Sequence, residues 1–367
     1  MPSLTSLISR MIKPSCAVWE ITLKCNSNCI HCGSKAGKIR ADELNNEEAL
    51  QLVRDLRDCG YKGVALMGGE PLIREDWYEI AQEIKKNKLE LSIVTNGLNL
   101  IDNIHKLNQL NVDCVSLSLD GGTAKVHDNL RGISGAFKKT LNAINRLKVE
   151  KIPVSVITSV SKTNLTELDK IKNLLLDRDI AWQIQIALPI GRFPRELTIS
   201  REEFYTVALF IAINANKYSY KRLPIIGGHC FGHYSKLLPN LGIEPWVGCQ
   251  AGKSVLGIQS NGNIKGCLTL PDEFIEGNIR TQSLDTIVEK IRSKLIKVKG
   301  YCSDCEVTSL CRGGCLGTAF ALKEFKEPYC LRAIETKLFA SKQLPSKGKL
   351  DSTISIIKSM FHNLPFK

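Results

Sequence analysis

From residue 16 onward, short runs rich in β-branched and aliphatic residues alternate with longer stretches whose apolar positions recur every three or four residues. The short runs at 17–23, 63–67, 91–95, 114–119, 153–160 and 182–188 read as strands, and the stretches near 46–59, 75–87, 101–109, 134–149 and 164–177 as helices. Regular strand–helix alternation predicts an α/β fold, with a parallel sheet and its helices outside. Pro189 to Pro194 breaks the pattern, and Arg201 to Lys217 reads as a further helix. Residues 218–247, rich in Gly and Pro, read as a loop-like bridge. Val255 to Gln259 and Asn263 to Cys267, joined through Asn261-Gly262, predict a β-hairpin with a tight turn. A helix is expected over 281–296, and a basic helical tail from about 336 to 367. No internal repeat or low-complexity tract is visible.

The cysteines change this picture. Cys25, Cys29 and Cys32 follow the first strand with the spacing C-x3-C-x2-C. Three thiolates so spaced suit one cubane iron–sulfur cluster with an open fourth iron, whereas an electron carrier supplies four cysteines and saturates its cluster. An open corner permits binding of a substrate or cosubstrate, which points to a catalyst. A zinc knuckle is the competing reading. A second set lies towards the C-terminus: Cys249, Cys267, then Cys302-x2-Cys305-x5-Cys311-x3-Cys315, and Cys330. Zinc competes here also, but seven cysteines fit two interleaved clusters better than one tetrahedral ion with three thiols to spare. Cys16, Cys59 and Cys114 fall within strand or helix patterns and are expected to be plain buried residues.

Fourteen cysteines without a basic-then-apolar leader predict a cytoplasmic protein using metal–sulfur chemistry rather than disulfides. No apolar run approaches the ~18 residues that span a bilayer, so no membrane association is expected. The chain has 367 residues and 43% hydrophobic content, enough for a full core. Its formal charge of +13 is spread along the chain, with a local excess from Lys290 to Lys299. No nucleic-acid-binding motif accompanies it, so nucleic-acid binding is not expected; a basic face would attract an acidic peptide or partner protein.

In these motifs and their order the chain resembles the radical S-adenosylmethionine (radical SAM) superfamily. C-x3-C-x2-C is followed by Gly68-Gly69-Glu70-Pro71, Thr95-Asn96-Gly97, Ser118-Leu119-Asp120-Gly121 and His127-Asp128-Asn129-Leu130-Arg131-Gly132, the first three closing apolar runs. The C-terminal cysteines resemble the SPASM extension, which binds auxiliary iron–sulfur clusters. The resemblance spans roughly residues 16–335 and implies a partial (β/α)6 TIM-like barrel. The domains expected are a lead-in (1–15), the barrel (16–190), a bridge (191–245), a SPASM domain (246–335) and a basic tail (336–367).

It also implies the cofactors: three [4Fe–4S] clusters, one binding SAM and two auxiliary. Cys25, Cys29 and Cys32 would hold the first, and its reduction would cleave SAM to methionine and a 5′-deoxyadenosyl radical, at a potential towards roughly −700 mV. Gly68, Gly69 and Glu70 would meet the methionine amino group, and His31, standing where the family usually has an aromatic residue, would lie against the adenine. Ser118 and Asp120 are ribose-side candidates, Arg131 a partner for the SAM carboxylate, and Thr95 and Asn96 further contacts. Cys302, Cys305, Cys311 and Cys330 would bind the distal auxiliary cluster; Cys249, Cys267 and Cys315 the nearer one. Cys230 is the nearest candidate for a fourth ligand, or that site stays open for substrate. His229 and His233 flank it and are assigned to a pocket or packing role.

The function implied is maturation of a ribosomally made precursor peptide by hydrogen abstraction, giving a crosslink or a backbone excision, the spliceotide type among them. Only 15 residues precede the core pattern, so a separate leader-recognition protein is expected, with an electron donor such as ferredoxin or flavodoxin. The alternatives are an anaerobic sulfatase-maturing enzyme, a radical enzyme acting on a small molecule such as a tetrapyrrole (whose relatives usually carry fewer auxiliary cysteines), and a non-catalytic metal or nucleic-acid-binding protein. No general base is identified, because a base is defined by its distance to substrate.

Overall fold

A computed structural model describes residues 14–232, 234–235, 237–242, 246–293, 302–323 and 329–340. The six expected strands form: β1 (Cys16–Thr22), β2 (Gly63–Gly68), β3 (Glu90–Thr95), β4 (Cys114–Ser118), β5 (Val154–Val160) and β6 (Ala181–Ile186). Each pairs in parallel with the next. The connecting helices are α1 (Asn46–Asp58), α2 (Trp77–Lys86), α3 (Leu100–Leu110), α4 (Ala124–Arg131), α5 (Ala136–Val149) and α6 (Leu168–Leu175). Helix α1 starts at a capping box in which Asn45 and Glu48 satisfy each other's backbone N–H, with Glu47 and Glu48 favourably placed in the first turn.

Residues 218–247 are not all loop, as the sequence pattern suggested. They contribute β7 (Ile225–Gly227), which pairs in parallel with β6 and packs under α7 (Arg201–Lys217). The expected hairpin forms as β8 (Val255–Ile258) and β9 (Asn263–Lys265), with Gly262 at positive φ in the turn, and a short β10 (Gly277–Asn278) follows. Strand β8 then adds in parallel to β1, giving one ten-stranded sheet in the order β10-β9-β8-β1-β2-β3-β4-β5-β6-β7. The C-terminal cysteine-rich region is thus hydrogen-bonded to the strand that leads into Cys25. Helices α8 (Leu284–Ser293), α9 (Thr308–Cys311), α10 (Leu316–Ala321) and α11 (Leu331–Ala340) complete the described chain. The basic tail beyond 340, residues 294–296 of the helix expected over 281–296, His233 and the His229 side chain lie outside the described residues.

Strand residues alternate between two environments. Leu66, Ile93, Val115, Leu117, Val156, Trp182 and Ile184 point outward into the continuous apolar core beneath the helices. Their neighbours Ser92, Ser116, Ser118, Ser155, Ser159, Gln183 and Gln185 are half-buried and face the other side. Ser116 and Ser155 hydroxyls lie 2.7 Å apart, and Gln185 Nε2 donates to Ser159 Oγ at 2.9 Å, so this inner face is polar. Period-two alternation with both faces structured is what a sheet covered by helices on one side and lining a chamber on the other requires. No helix among the described residues is long and apolar enough to cross a membrane.

Trp182 anchors the outer core. It is fully buried, lies edge-on to Phe210 of α7 at 5.9 Å, and its indole N–H donates to Thr158 Oγ1 at 2.8 Å. Trp182→Ala is expected to destabilise the fold by about 3–5 kcal/mol. The urea midpoint should fall accordingly, and an unchanged midpoint would contradict this packing.

Candidate active site

The motif residues meet at the C-terminal ends of β1 to β6, the face on which parallel β/α folds place their chemistry. The loop after β1 carries Cys25, Cys29 and Cys32 and is closed at its base: Cys25 N–H donates to Gly37 O (3.0 Å) and Gly37 N–H to Leu23 O (2.8 Å). Strand β2 ends hard against this loop. Gly69 N–H donates to Thr22 O and Glu70 N–H to Lys24 O. A Cβ on Gly68 would come within 2.3 Å of Thr22 O, and one on Gly69 within 2.1 Å of Lys24 O, so only glycine permits the approach.

Glu70 is fully buried and engaged with protein. Oε1 accepts from Thr95 Oγ1 (2.7 Å) and Leu72 N (3.2 Å), and Oε2 from Asn96 N (2.8 Å). Burial pushes its carboxyl up, against these hydrogen bonds and the Arg131 charge. The Asn96 side chain donates to Asn26 Oδ1 (2.8 Å) and Ser27 Oγ (3.2 Å). Glu70, Thr95 and Asn96 therefore tie the ends of β2 and β3 to the cysteine loop. Ser118, at the end of β4, is half-buried and makes no protein hydrogen bond through its hydroxyl among the described residues.

Asp120 is the charged centre of the site, with no exposure to solvent. Its Oδ1 accepts from Ser159 N (2.8 Å), and its Oδ2 faces His31 Nε2 (3.3 Å) and forms a close ion pair with Arg131 Nη2. Burial opposes its ionisation, but Arg131 and then His31 outweigh that and hold the carboxyl well below the usual carboxylate range. Arg131 also donates through Nη1 to Cys29 Sγ at 3.6 Å. The last turn of α4 grips the loop besides, since Ile30 N–H donates to Leu130 O at 2.9 Å. Arg131, expected at a SAM carboxylate, is thus committed here to Asp120 and a cysteine sulfur. His127, on α4, accepts the Asp120 N–H through Nδ1 at 3.1 Å. Burial and the Arg131 charge lower its pKa to about 4.

The cysteine sulfurs share one environment. Burial pushes the Cys25 thiol up to about 11, with Glu70, Cys29 and Cys32 adding to the effect, while Ser27 N–H donates to it. Cys32 Sγ accepts from Ala36 N at 3.3 Å. In the C-terminal set burial raises Cys249, with Cys267 beside it and N–H groups of Leu316 and Ala251 directed at its sulfur. Burial likewise raises Cys330 to about 12, with Cys311 and Cys302 contributing, and raises Cys311 with Cys305 beside it. Cys315 caps the N-terminus of α10, whose first N–H is the one facing Cys249. Sulfurs that receive backbone N–H donors are suited to thiolates bound to metal, since cluster thiolates accept such hydrogen bonds. The Nδ1 of His31 and the Nε of Arg131 are buried without a protein partner, which fits a site that takes a polar group.

Cys230, the candidate fourth ligand, is buried beside β6. Its sulfur accepts the Ile186 N–H at 3.3 Å and its side chain belongs to the apolar core beside β6. Cys16, Cys59 and Cys114 are half-buried rather than buried. Two contributors were missed in the sequence. His127 lay within a recognised motif without a role, and Arg192 lay in the Pro-bounded break; the Gly191-Arg192 pair after β6 was its only signal.

Residues 19–175 match the Radical SAM superfamily and residues 249–312 an iron–sulfur cluster-binding domain, SPASM. The AdoMet-dependent heme synthase of Methanosarcina barkeri is 32% identical over 353 residues, covering 89% of this chain and 98% of that protein. The chain belongs to the radical SAM superfamily. Mycofactocin maturase MftC of Mycobacterium tuberculosis is 25% identical over 336 residues, covering 86% of this chain and 84% of that one. Among solved structures, Streptococcus suis SuiB bound to precursor peptide SuiA superposes with a TM-score of 0.70 at 17% identity, covering 88% of this chain and 76% of that one. Native anSMEcpe with bound AdoMet gives 0.67 at 18%, covering 95% and 96%. These two share the fold. The chain is accordingly a radical SAM enzyme that uses iron–sulfur clusters and SAM, and the polar, thiol-rich site fits both.

His127 makes acid stability a test of this site. Its folded pKa lies below the unfolded value of ~6.5, so the unfolded chain takes up the proton first. The stabilisation is fully present above about pH 6.5 and is lost as pH falls towards 4, by up to about 3 kcal/mol. Urea titrations between pH 4 and 7 should show that slope in wild type and a reduced one in His127→Gln; equal slopes would refute a neutral, buried His127.

Proposed function

We propose that the chain is a radical SAM/SPASM peptide maturase, acting on a ribosomally made precursor to crosslink it or excise part of its backbone. Cys25, Cys29 and Cys32 hold a [4Fe–4S] cluster and SAM. Cys302, Cys305, Cys311 and Cys330 hold one auxiliary cluster, and Cys249, Cys267 and Cys315 the other, without Cys230. Bound at the first site, the cluster and SAM would supply the radical chemistry for hydrogen abstraction from the substrate. The chain's own residues shape what surrounds it. Gly68 and Gly69 seat the loop, Asp120 fixes His31 and Arg131, and the half-buried inner face of β4 to β6 gives the substrate a neutral, hydrogen-bonding wall.

The observation carrying this reading is the parallel pairing of β8 with β1, which places the SPASM hairpin on the same sheet as the SAM-site loop. The relatives named as a mycofactocin maturase and as SuiB bound to a precursor peptide support it. A separate leader-recognition protein and a low-potential donor such as ferredoxin or flavodoxin complete the system. One observation favours a second reading, a tetrapyrrole substrate: the heme synthase relative is matched over 98% of its length.

Anaerobic reconstituted enzyme with SAM and reductant separates the two. The proposal expects 5′-deoxyadenosine together with a mass change in a short precursor peptide encoded beside the gene. Conversion of a carboxylate-bearing iron porphyrin, with the peptide untouched, would establish the second reading instead. In either case Cys25→Ala should abolish SAM cleavage, and retained turnover would reject the ligand assignment.

A further inference from the structure

The segment after β6 folds back over the cysteine loop. Gly191 adopts φ +64, and a Cβ there would lie 2.2 Å from Cys32 O and 2.3 Å from Gly33 O, so its backbone is in direct contact with the loop. The next residue, Arg192, makes three hydrogen bonds to that loop. Its backbone N–H donates to Cys32 O (3.0 Å), its Nε to Cys29 O (3.3 Å) and its Nη1 to Ala36 O (2.8 Å). Two of these carbonyls belong to cysteines of the motif. The third belongs to the residue whose N–H donates to Cys32 Sγ. The Cys29 and Ala36 carbonyls are turned towards the guanidinium and the Cys32 carbonyl towards the Arg192 backbone N–H, while Ser27 and Ala36 N–H groups are turned towards sulfur.

We propose that Arg192 is a positioning residue for the SAM-site cluster: its guanidinium clasps the loop carbonyls so that Cys29 and Cys32 present their sulfurs as ligands. This rests on the assignment of Cys25, Cys29 and Cys32 as that cluster's ligands. The planar fork reaches two carbonyls at once, which an ammonium cannot reproduce with the same geometry. Its fixed positive charge beside the loop also favours the more reduced, more negative state of a bound cluster. Geometry and charge are therefore separable by substitution.

The test uses the full reconstituted chain with Arg192→Gln and Arg192→Lys, and reads iron release to a ferrous chelator and the EPR-monitored midpoint of the SAM-site cluster. That cluster's share is defined by difference from the Cys25/Cys29/Cys32→Ala variant. Loss of the two side-chain hydrogen bonds should speed release of this share by about tenfold in Arg192→Gln. Its midpoint should move to more negative potential. Arg192→Lys should release iron faster than wild type yet keep the midpoint near the wild-type value. The auxiliary iron and the thermal midpoint should be unchanged in both. Wild-type release and potential in Arg192→Gln would overturn the proposal, as would loss of auxiliary iron together with a lowered thermal midpoint, which marks a general folding role. If the triple cysteine variant releases the same iron as wild type, the ligand assignment beneath the proposal fails, and that is read from the reference variant alone.

Discussion

The Asp120–Arg131 ion pair, sealed from solvent beside the cysteine loop, is the interaction on which the site's geometry rests. A buried carboxylate and guanidinium hold their charges only if each is paired and further hydrogen-bonded. Asp120 meets that demand by drawing on Ser159 of β5 and His31 of the loop, while its own N–H donates to His127 of α4. Arg131 meets it with Asp120 and the Cys29 sulfur. Removing either partner strands the other's charge, at a cost of about 3–5 kcal/mol. One pair thereby fixes four chain segments around the sulfur that would face the cofactor.

A second layer is built from backbone contact. Gly68 and Gly69 press the end of β2 onto the loop's entry, and Gly191 with Arg192 closes its far side. The same post-β6 segment continues to Arg195, which donates to Ala321 O at the end of α10, the helix that Cys315 begins. With β8 paired to β1, the SAM-site loop and the auxiliary thiols are therefore joined by sheet hydrogen bonds on one side and by this segment on the other. Such double anchoring holds the two cysteine-bearing regions in one fixed arrangement.

Six strands were legible because each is a run of five to seven residues with β-branched or aliphatic character between clear helices. The cysteine spacings and the glycine-glycine-glutamate turn were legible as chemistry. Strand β7 was not, because its three residues lie among Pro and Gly and gain their place only by pairing with β6. Helix α4 was not, because Ala124–Arg131 is short and offers only Ala124, Val126 and Leu130 as apolar positions. The addition of β8 to β1 joins residues far apart in sequence, which no local pattern encodes. Roles were harder than places. Arg131, Glu70 and Asn96 stand at the site, and the protein groups they contact are ones that only folding brings together.

Ten of the cysteines are proposed to form three cluster sites. This is tested most directly by measuring iron, sulfide and zinc per chain after anaerobic reconstitution, in wild type and in the Cys25/Cys29/Cys32→Ala variant. Three cubanes predict about 12 iron atoms in wild type and about 8 in the variant. Zinc in place of the auxiliary iron, or the same iron content in both proteins, would contradict it.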